Sequence, residues 1–169
     1  ETGIDGLLHL IPKVFEDSRG FFLEAYNKKV FEAVGVNAEF VQDNLSKSSK
    51  NVLRGLHFQN PPHAQGKLVS VISGAVLDVA VDIRKKSPTY GKNYIAELSG
   101  NNKHLLWVPP GFAHGFLTLE DNTIFSYKCT DFYNKESEDA ILWNDPDLNI
   151  INIYNIFFMF IHILSLLTS

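Results

Sequence analysis

Residues 51–67, NVLRGLHFQNPPHAQGK, bring Arg54 and Lys67, His57 and His63, and Gln59 and Gln65 together between apolar residues. A hydrophobic core does not need that mixture. Imidazole titrates near neutral pH, so His57 has the chemistry of a general base. Tyr127 has that of an acid, and Lys67 or Arg54 can meet an oxyanion as it develops. Each also has a plainer reading: His57 as a core histidine with its hydrogen bonds satisfied, Tyr127 as an aromatic packed with Phe125 on one strand face. Together with Arg19, Glu24, Gln42, Asn44, His114 and Glu138, they form a larger polar set than a packed barrel buries unpaired. Proton transfer in a pocket is the chemistry that suits this set.

Metal chemistry fits less well. A metal site in a small β barrel normally shows two histidines as H-x-H, with a carboxylate and a third histidine nearby. Here Gln59 stands two residues after His57, no carboxylate lies within 51–73, and His63 falls on an expected loop surface between prolines and Gly66. No metal is expected, and a metal-dependent barrel oxygenase is disfavoured on the same ground.

The elements that must position these groups read as short strands. If 52–58 is a strand, alternation sets Leu53, Gly55, His57 and Gln59 on one face and Val52, Arg54, Leu56 and Phe58 on the other. Arg54 and His57 then serve one pocket only if the chain slips at Gly55, as a bulge or close-approach glycine allows. Asn60-Pro61-Pro62 ends the strand, and a new one follows over 65–73, led by Lys67. In 40–46, Phe40, Gln42, Asn44 and Ser46 alternate with Val41, Asp43 and Leu45, so the amide face is either solvated or a pocket wall. The runs 67–73 and 75–83 read as a hairpin about Gly74, with Leu77, Val79, Val81 and Ile83 on one face and Val76, Asp78, Ala80 and Asp82 on the other.

An edge strand is expected within 2–15, a turn at 17–20, a strand at 21–26, and a helix over 28–34 capped by Asn27 and closed by Gly35. Strands at 92–98, 105–108, 115–119 and 124–130 follow, separated by Gly/Asn/Pro turns. Residues 132–146 read as an irregular cover marked by Glu138 and Trp143. Many short strands with one short helix indicate an all-β jelly-roll barrel or sandwich.

At 169 residues the chain is long enough for one cohesive core. Its net charge of −4 argues against a nucleic-acid partner, and Lys85-Lys86 is a turn-sized pair, not a basic patch. The single cysteine, Cys129, forms no internal disulfide and reads as a small apolar filler in a reducing compartment. No signal-peptide pattern opens the chain, which starts at Glu1 and is read as trimmed, with the cytoplasm as its expected location. Residues 150–169, IINIYNIFFMFIHILSLLTS, carry no charge and no glycine. As a helix they would span about 30 Å, near a bilayer's apolar thickness. A membrane anchor, a buried or partner-covered segment, and an unnatural end such as a frameshift are the three readings; the abrupt change of composition favours the last.

The ordered strings DSRGFFLEAYN (17–27), FVQDNLSKSS (40–49), VLRGLHFQ (52–59), QGKLVSVISGAVLDVAVDIRKKSPTYG (65–91), VPPGFAHGFLTL (108–119) and YKCTDFY (127–133) carry a resemblance over nearly all of 1–149. The chain resembles the dTDP-4-dehydrorhamnose 3,5-epimerases, cupin-like sugar-nucleotide enzymes of rhamnose synthesis. The resemblance implies a cupin-like domain over 1–149 that works as a homodimer without a cofactor and inverts C3 and C5 of dTDP-4-dehydro-6-deoxy-D-glucose. His57 would remove the protons α to the C4 ketone, Tyr127 would return one from the opposite ring face, and Lys67 would face the C4 oxygen as it becomes an enolate. Arg54, His114, Gln42, Asp43, Asn44 and Glu138 would hold the substrate, and Arg19 and Glu24 would help bind the nucleotide end across the dimer interface. The family pattern goes on to a Leu-Ser-x-Lys-Asp segment whose aspartate orients the base and whose lysine helps bind substrate, and residues 150–169 lack both. Nothing in the sequence sets Asp78 or Asp82 beside His57 in its place. A C3-only epimerase and a sugar-nucleotide-binding homologue without turnover stay open as alternatives.

Overall fold

A computed structural model describes residues 1–148 and 150. Among them the elements in chain order are β1 (Leu8–Leu10), β2 (Phe15–Asp17), β3 (Gly20–Phe22), α1 (Lys28–Ala33), β4 (Gln42–Ser48), β5 (Leu53–Gln59), β6 (Lys67–Ser73), β7 (Ala75–Asp82), β8 (Asn93–Ser99), β9 (Leu105–Val108), β10 (Phe112–Thr118), β11 (Thr123–Cys129) and β12 (Glu138–Ala140). Two antiparallel sheets form, β1-β9-β6-β11-β4 and β12-β5-β10-β7-β8, while β2 and β3 make a separate hairpin. The architecture is the expected all-β jelly roll with one short helix.

Alternation decides how the layers meet. On β7, Val76 and Ala80 enter the core between the sheets with Val69, Leu106, Phe116 and Phe125. Val79 and Val81 face the other way and are covered, with Leu56, Ala113 and Leu117, by Ile150 and by the partly buried Trp143 and Leu148. Burial of each such valine or leucine contributes about 1.5–3 kcal/mol. With both faces of β7 covered, Asp78 and Asp82 lie on the inner face at 0 % exposure and must find partners inside the protein. Helix α1 closes the outer face of the first sheet, packing Phe31 with Leu68, Leu105 and Trp107.

Several local expectations are corrected. The strands on either side of Gly74 do not pair as a hairpin: β6 joins the first sheet and β7 the second, so Gly74, at φ 80°, is where the chain changes sheets. A Cβ there would collide with Thr123 Oγ1. Asn27 stands at the N-cap of α1 without a side-chain capping bond, and its Nδ2 donates to Glu24 Oε1 at 2.9 Å. The cover over 132–146 is not wholly irregular, since β12 adds to the edge of β5. The expected strand at 21–26 ends at Phe22, and the edge strand within 2–15 is β1 alone. Among the described residues no helix is long and apolar enough to cross a membrane. The three readings of the apolar tail fall, beyond Ile150, outside the described residues.

Candidate active site

A cavity of about 500 Å³ opens between the sheets. Strand β5 supplies Arg54, Gly55 and His57, β6 supplies Lys67, β10 supplies His114 and Phe116, and β11 supplies Phe125 and Tyr127, with Ser46 from β4.

Arg54 and His57 share this cavity because the register slips where the sequence required it. His57 pairs with His114 and Arg54 with Phe116, so three steps along β5 match two along β10. Gly55 sits at φ 104°, and its peptide to Leu56 is cis. A Cβ at Gly55 would lie 2.5 Å from Gly115 Cα and 2.6 Å from the His114 carbonyl oxygen. Only glycine fits both the positive φ and the close strand approach.

Some polar groups of the cavity have partners of their own, while the buried Ser46 Oγ has none among the described residues. His114 Nε2 lies 2.9 and 3.0 Å from the two carboxylate oxygens of Asp78, and both residues are buried. Arg54 Nε donates to Ser48 Oγ at 3.1 Å. Burial lowers the Lys67 ammonium below the ordinary lysine value, while Cys129, Glu138 and Asp78 pull the other way. Burial raises the Tyr127 phenol, Cys129 adds to the rise, and Arg54 opposes it. The ring of Tyr127 packs on Phe125 at 6.0 Å between centroids, so its plainer reading and its place in the cavity are both true. His57 Nδ1 faces Glu138 Oε1 at 3.9 Å, with the two side chains 52 % and 39 % exposed.

The amide face of β4 turns inward. Gln42 Nε2 donates to Asn44 Oδ1 at 3.1 Å, and Asn44 Nδ2 reaches Cys129 Sγ at 3.6 Å. Asp43 is out of phase, 70 % exposed on the opposite face, where it pairs with Lys128 at 3.0 Å. Arg19 and Glu24 are not at this cavity within one copy of the chain. Arg19 sits at the tip of the β2–β3 hairpin, paired with Asp17, and Glu24 holds Asn27. Asp82 serves a separate cluster, accepting from Arg84, Ser87 and Thr89, and its carboxyl falls well below the ordinary range through those bonds, against the opposing effect of burial. Neither Asp78 nor Asp82 is therefore the partner of His57.

The sequence reading overlooked Asp78 as the partner of His114. A carboxylate on a strand buried on both faces was the available signal, because such a group requires a partner. Gln59, expected beside His57, also has a buried amide that ties the 132–134 backbone, which strand alternation alone did not reveal.

A family model described as dTDP-4-dehydrorhamnose 3,5-epimerase matches residues 1–165. The chain belongs to the dTDP-4-dehydrorhamnose 3,5-epimerase family. It is 58 % identical over 151 residues to the dTDP-4-dehydrorhamnose 3,5-epimerase of Shigella flexneri, covering 89 % of this chain and 83 % of that one. A solved epimerase from Legionella pneumophila, in complex with dTDP-4-keto-L-rhamnose, superimposes with a TM-score of 0.85 at 52 % identity, covering 89 % and 80 %. A 3'-monoepimerase from Streptomyces bikiniensis, in complex with dTDP-quinovose, gives 0.82 at 32 %, covering 88 % and 75 %. In this member of the epimerase family, no group of three or more His, Cys, Asp or Glu among the described residues is placed to hold a metal ion.

Proposed function

We propose that this chain epimerises dTDP-4-dehydro-6-deoxy-D-glucose at C3 and C5 to dTDP-4-dehydro-L-rhamnose. The observation that carries the reading is the convergence of His57, Lys67 and Tyr127, from three strands of two facing sheets, on one cavity. A hydrogen α to a ketone is weakly acidic, so its removal needs a base and a fixed cation for the enolate oxygen. In the proposed reaction His57 takes the proton, the C–H electron pair passes to the C4 oxygen, and Lys67 meets the charge. Tyr127 then returns a proton to the carbon from the other side. Inversion demands a base and an acid on opposite ring faces, and His57 and Tyr127 belong to opposite sheets. Arg54, His114, Gln42, Asn44 and Glu138 are assigned to holding the dTDP-sugar.

A homodimer completes the reading. The β2–β3 hairpin exposes Phe15, Phe21 and Phe22 and carries Arg19 at its tip, which suits an arm laid on a second copy. That arm, with Glu24 at its base, would bring a cation to the diphosphate of the neighbouring site, as guanidinium chemistry favours. Asp43, exposed on the outer face with Lys128, is left out of the set that holds the dTDP-sugar. A nucleotide-sugar substrate supports the cytoplasm as the site of this activity.

Solvent deuterium entering C3 and C5 of dTDP-4-dehydro-6-deoxy-D-glucose, lost in His57→Ala, is the expected result. The 3'-monoepimerase relative keeps a second reading open, and label at C3 alone would select it. Substrate binding without any label would leave a sugar-nucleotide-binding protein.

A further inference from the structure

A histidine that takes a proton from carbon must point one ring nitrogen at the substrate and keep the other occupied, or its tautomer is uncontrolled. At His57 the carboxylate facing Nδ1 is that of Glu138, Oε1 to Nδ1 3.9 Å. The strand register explains the approach. Ala140 stands opposite His57 and Glu138 opposite Gln59, so these four side chains share one face of the pair. The small methyl of Ala140 leaves room for Glu138 to lean diagonally toward the imidazole.

Glu138 is itself aimed. Tyr133 Oη donates to Glu138 Oε2 at 2.8 Å, which leaves Oε1 as the oxygen turned to His57. The loop carrying Tyr133 is tied down from both sheets. Its N–H donates to Gln42 Oε1 at 3.0 Å, and the Gln59 amide donates to Phe132 O at 3.2 Å and accepts from Asn134 N at 2.8 Å. Residues 150–169 contain no carboxylate that would serve in its place.

We propose that Glu138 is the positioning carboxylate of His57, aimed by Tyr133. It holds the imidazole with Nδ1–H toward Oε1 and Nε2 toward the cavity. When Nε2 takes the carbon-bound proton, the electron pair goes to the sugar carbonyl oxygen, and the Glu138 carboxylate steadies the imidazolium. The present separation is longer than a hydrogen bond; pairs of this kind shorten once substrate excludes water and the ring gains charge. The assignment rests on the epimerase reading, and it gives Glu138 a role through His57 in addition to any contact with the sugar.

Two measurements on the full chain test it. Nitrogen-15 NMR of the imidazole in the substrate-free protein should show His57 with its proton on Nδ1, and Glu138→Ala should shift the population toward Nε2–H. In the deuterium-exchange assay Glu138→Ala should lower kcat at least about tenfold, the lower end for carboxylate partners of metal-bound histidines, and at most about ten-thousandfold, the loss known for the partner of a catalytic base. The loss should fall mainly on kcat, with any rise in KM from a lost sugar contact the smaller effect, since a group acting through the base adds little to ground-state binding. Glu138→Asp should recover part of kcat, and Tyr133→Phe should lower it less than Glu138→Ala does. An unchanged tautomer in Glu138→Ala, or a rise in KM with kcat preserved, would overturn the proposal and leave Glu138 as a substrate contact. A wild-type chain that shows the tautomer shift but no exchange would sink the epimerase reading while the His57–Glu138 pairing stood.

Discussion

His114 and Asp78 face each other on neighbouring strands of the second sheet, imidazole Nε2 to carboxylate 2.9 Å, with Asp78 at 0 % exposure and His114 at 7 %. One ring flanks the pair, Phe125, stacked on His114 at 6.3 Å and in turn on Phe116 at 4.2 Å. A carboxylate so placed depends on its partner for compensation, because removing one member of a buried pair leaves a charge without water. His114→Asn should therefore cost about 3–5 kcal/mol in urea unfolding. The double variant Asp78→Asn, His114→Asn should lose less than His114→Asn alone, since no charge remains to be buried. Simple additivity of the two single losses would show that the pair is not coupled.

Gly55 carries the register on which the cavity depends. An added Cβ meets Gly115 Cα at 2.5 Å, in a conformation at φ 104° that side chains disfavour. Gly55→Ala should destabilise the fold by about 1–3 kcal/mol through local strain. Any relaxation that realigns β5 with β10 would turn either Arg54 or His57 out of the cavity, so kcat/KM should fall more steeply than the stability loss explains. Wild-type turnover in a folded Gly55→Ala protein would refute this account.

The conflict between Arg54 and His57 was visible in the residues, because strand alternation has a period of two and the two positions differ by three. Glycine between them located the answer. The faces of β7 were legible for the same reason, as Val76 and Ala80 lie inward and Val79 and Val81 outward. Sheet membership was not legible at Gly74. Two apolar runs joined by one glycine look like a hairpin, and only long-range pairing of β6 with β11 and β7 with β10 separates them. Asp43 shows the opposite tension: alternation already opposed it to Gln42 and Asn44, while the matching string FVQDN grouped all three. The short strand β12 escaped notice because three exposed residues, Glu138, Asp139 and Ala140, have no pattern to read, yet their register with β5 sets Glu138 near His57.

A second histidine cluster, away from the cavity, ties β1 to both sheets. His9 Nδ1 lies 2.9 Å from Tyr94 Oη, and His9 Nε2 lies 3.0 Å from His104 Nδ1. Burial lowers the His9 imidazole below 6.5, His104 and the N-terminal ammonium lower it further, and Asp78 partly offsets them. The folded protein thus binds fewer protons here than the unfolded chain. This contribution to stability is complete above 6.5 and is lost as pH falls through the lowered value. The urea midpoint should drop on going from about pH 7.5 to about pH 5.5, and it should drop less in His9→Leu, which has no proton to gain at that site. An identical drop in the variant would remove His9 from the explanation.

Lys67 sets the alkaline behaviour of the proposed reaction. Its ammonium is lowered by burial from 10.5, so the cation that meets the enolate disappears at a pH below the ordinary lysine value. Exchange at C3 should decline on the alkaline side before pH 10.5 is reached. Unfolding does not mimic this: a lysine whose folded value is depressed leaves the unfolded chain holding more protons, so this term makes the fold more stable as pH rises through that window. Lys67→Met should lose about a hundredfold to a thousandfold in kcat at neutral pH, the usual loss when one oxyanion partner is removed. Lys67→Arg, slower because the planar fork does not match a point cation, should nonetheless stay charged and lose the alkaline decline. A decline that persists unchanged in Lys67→Arg would assign it to another group.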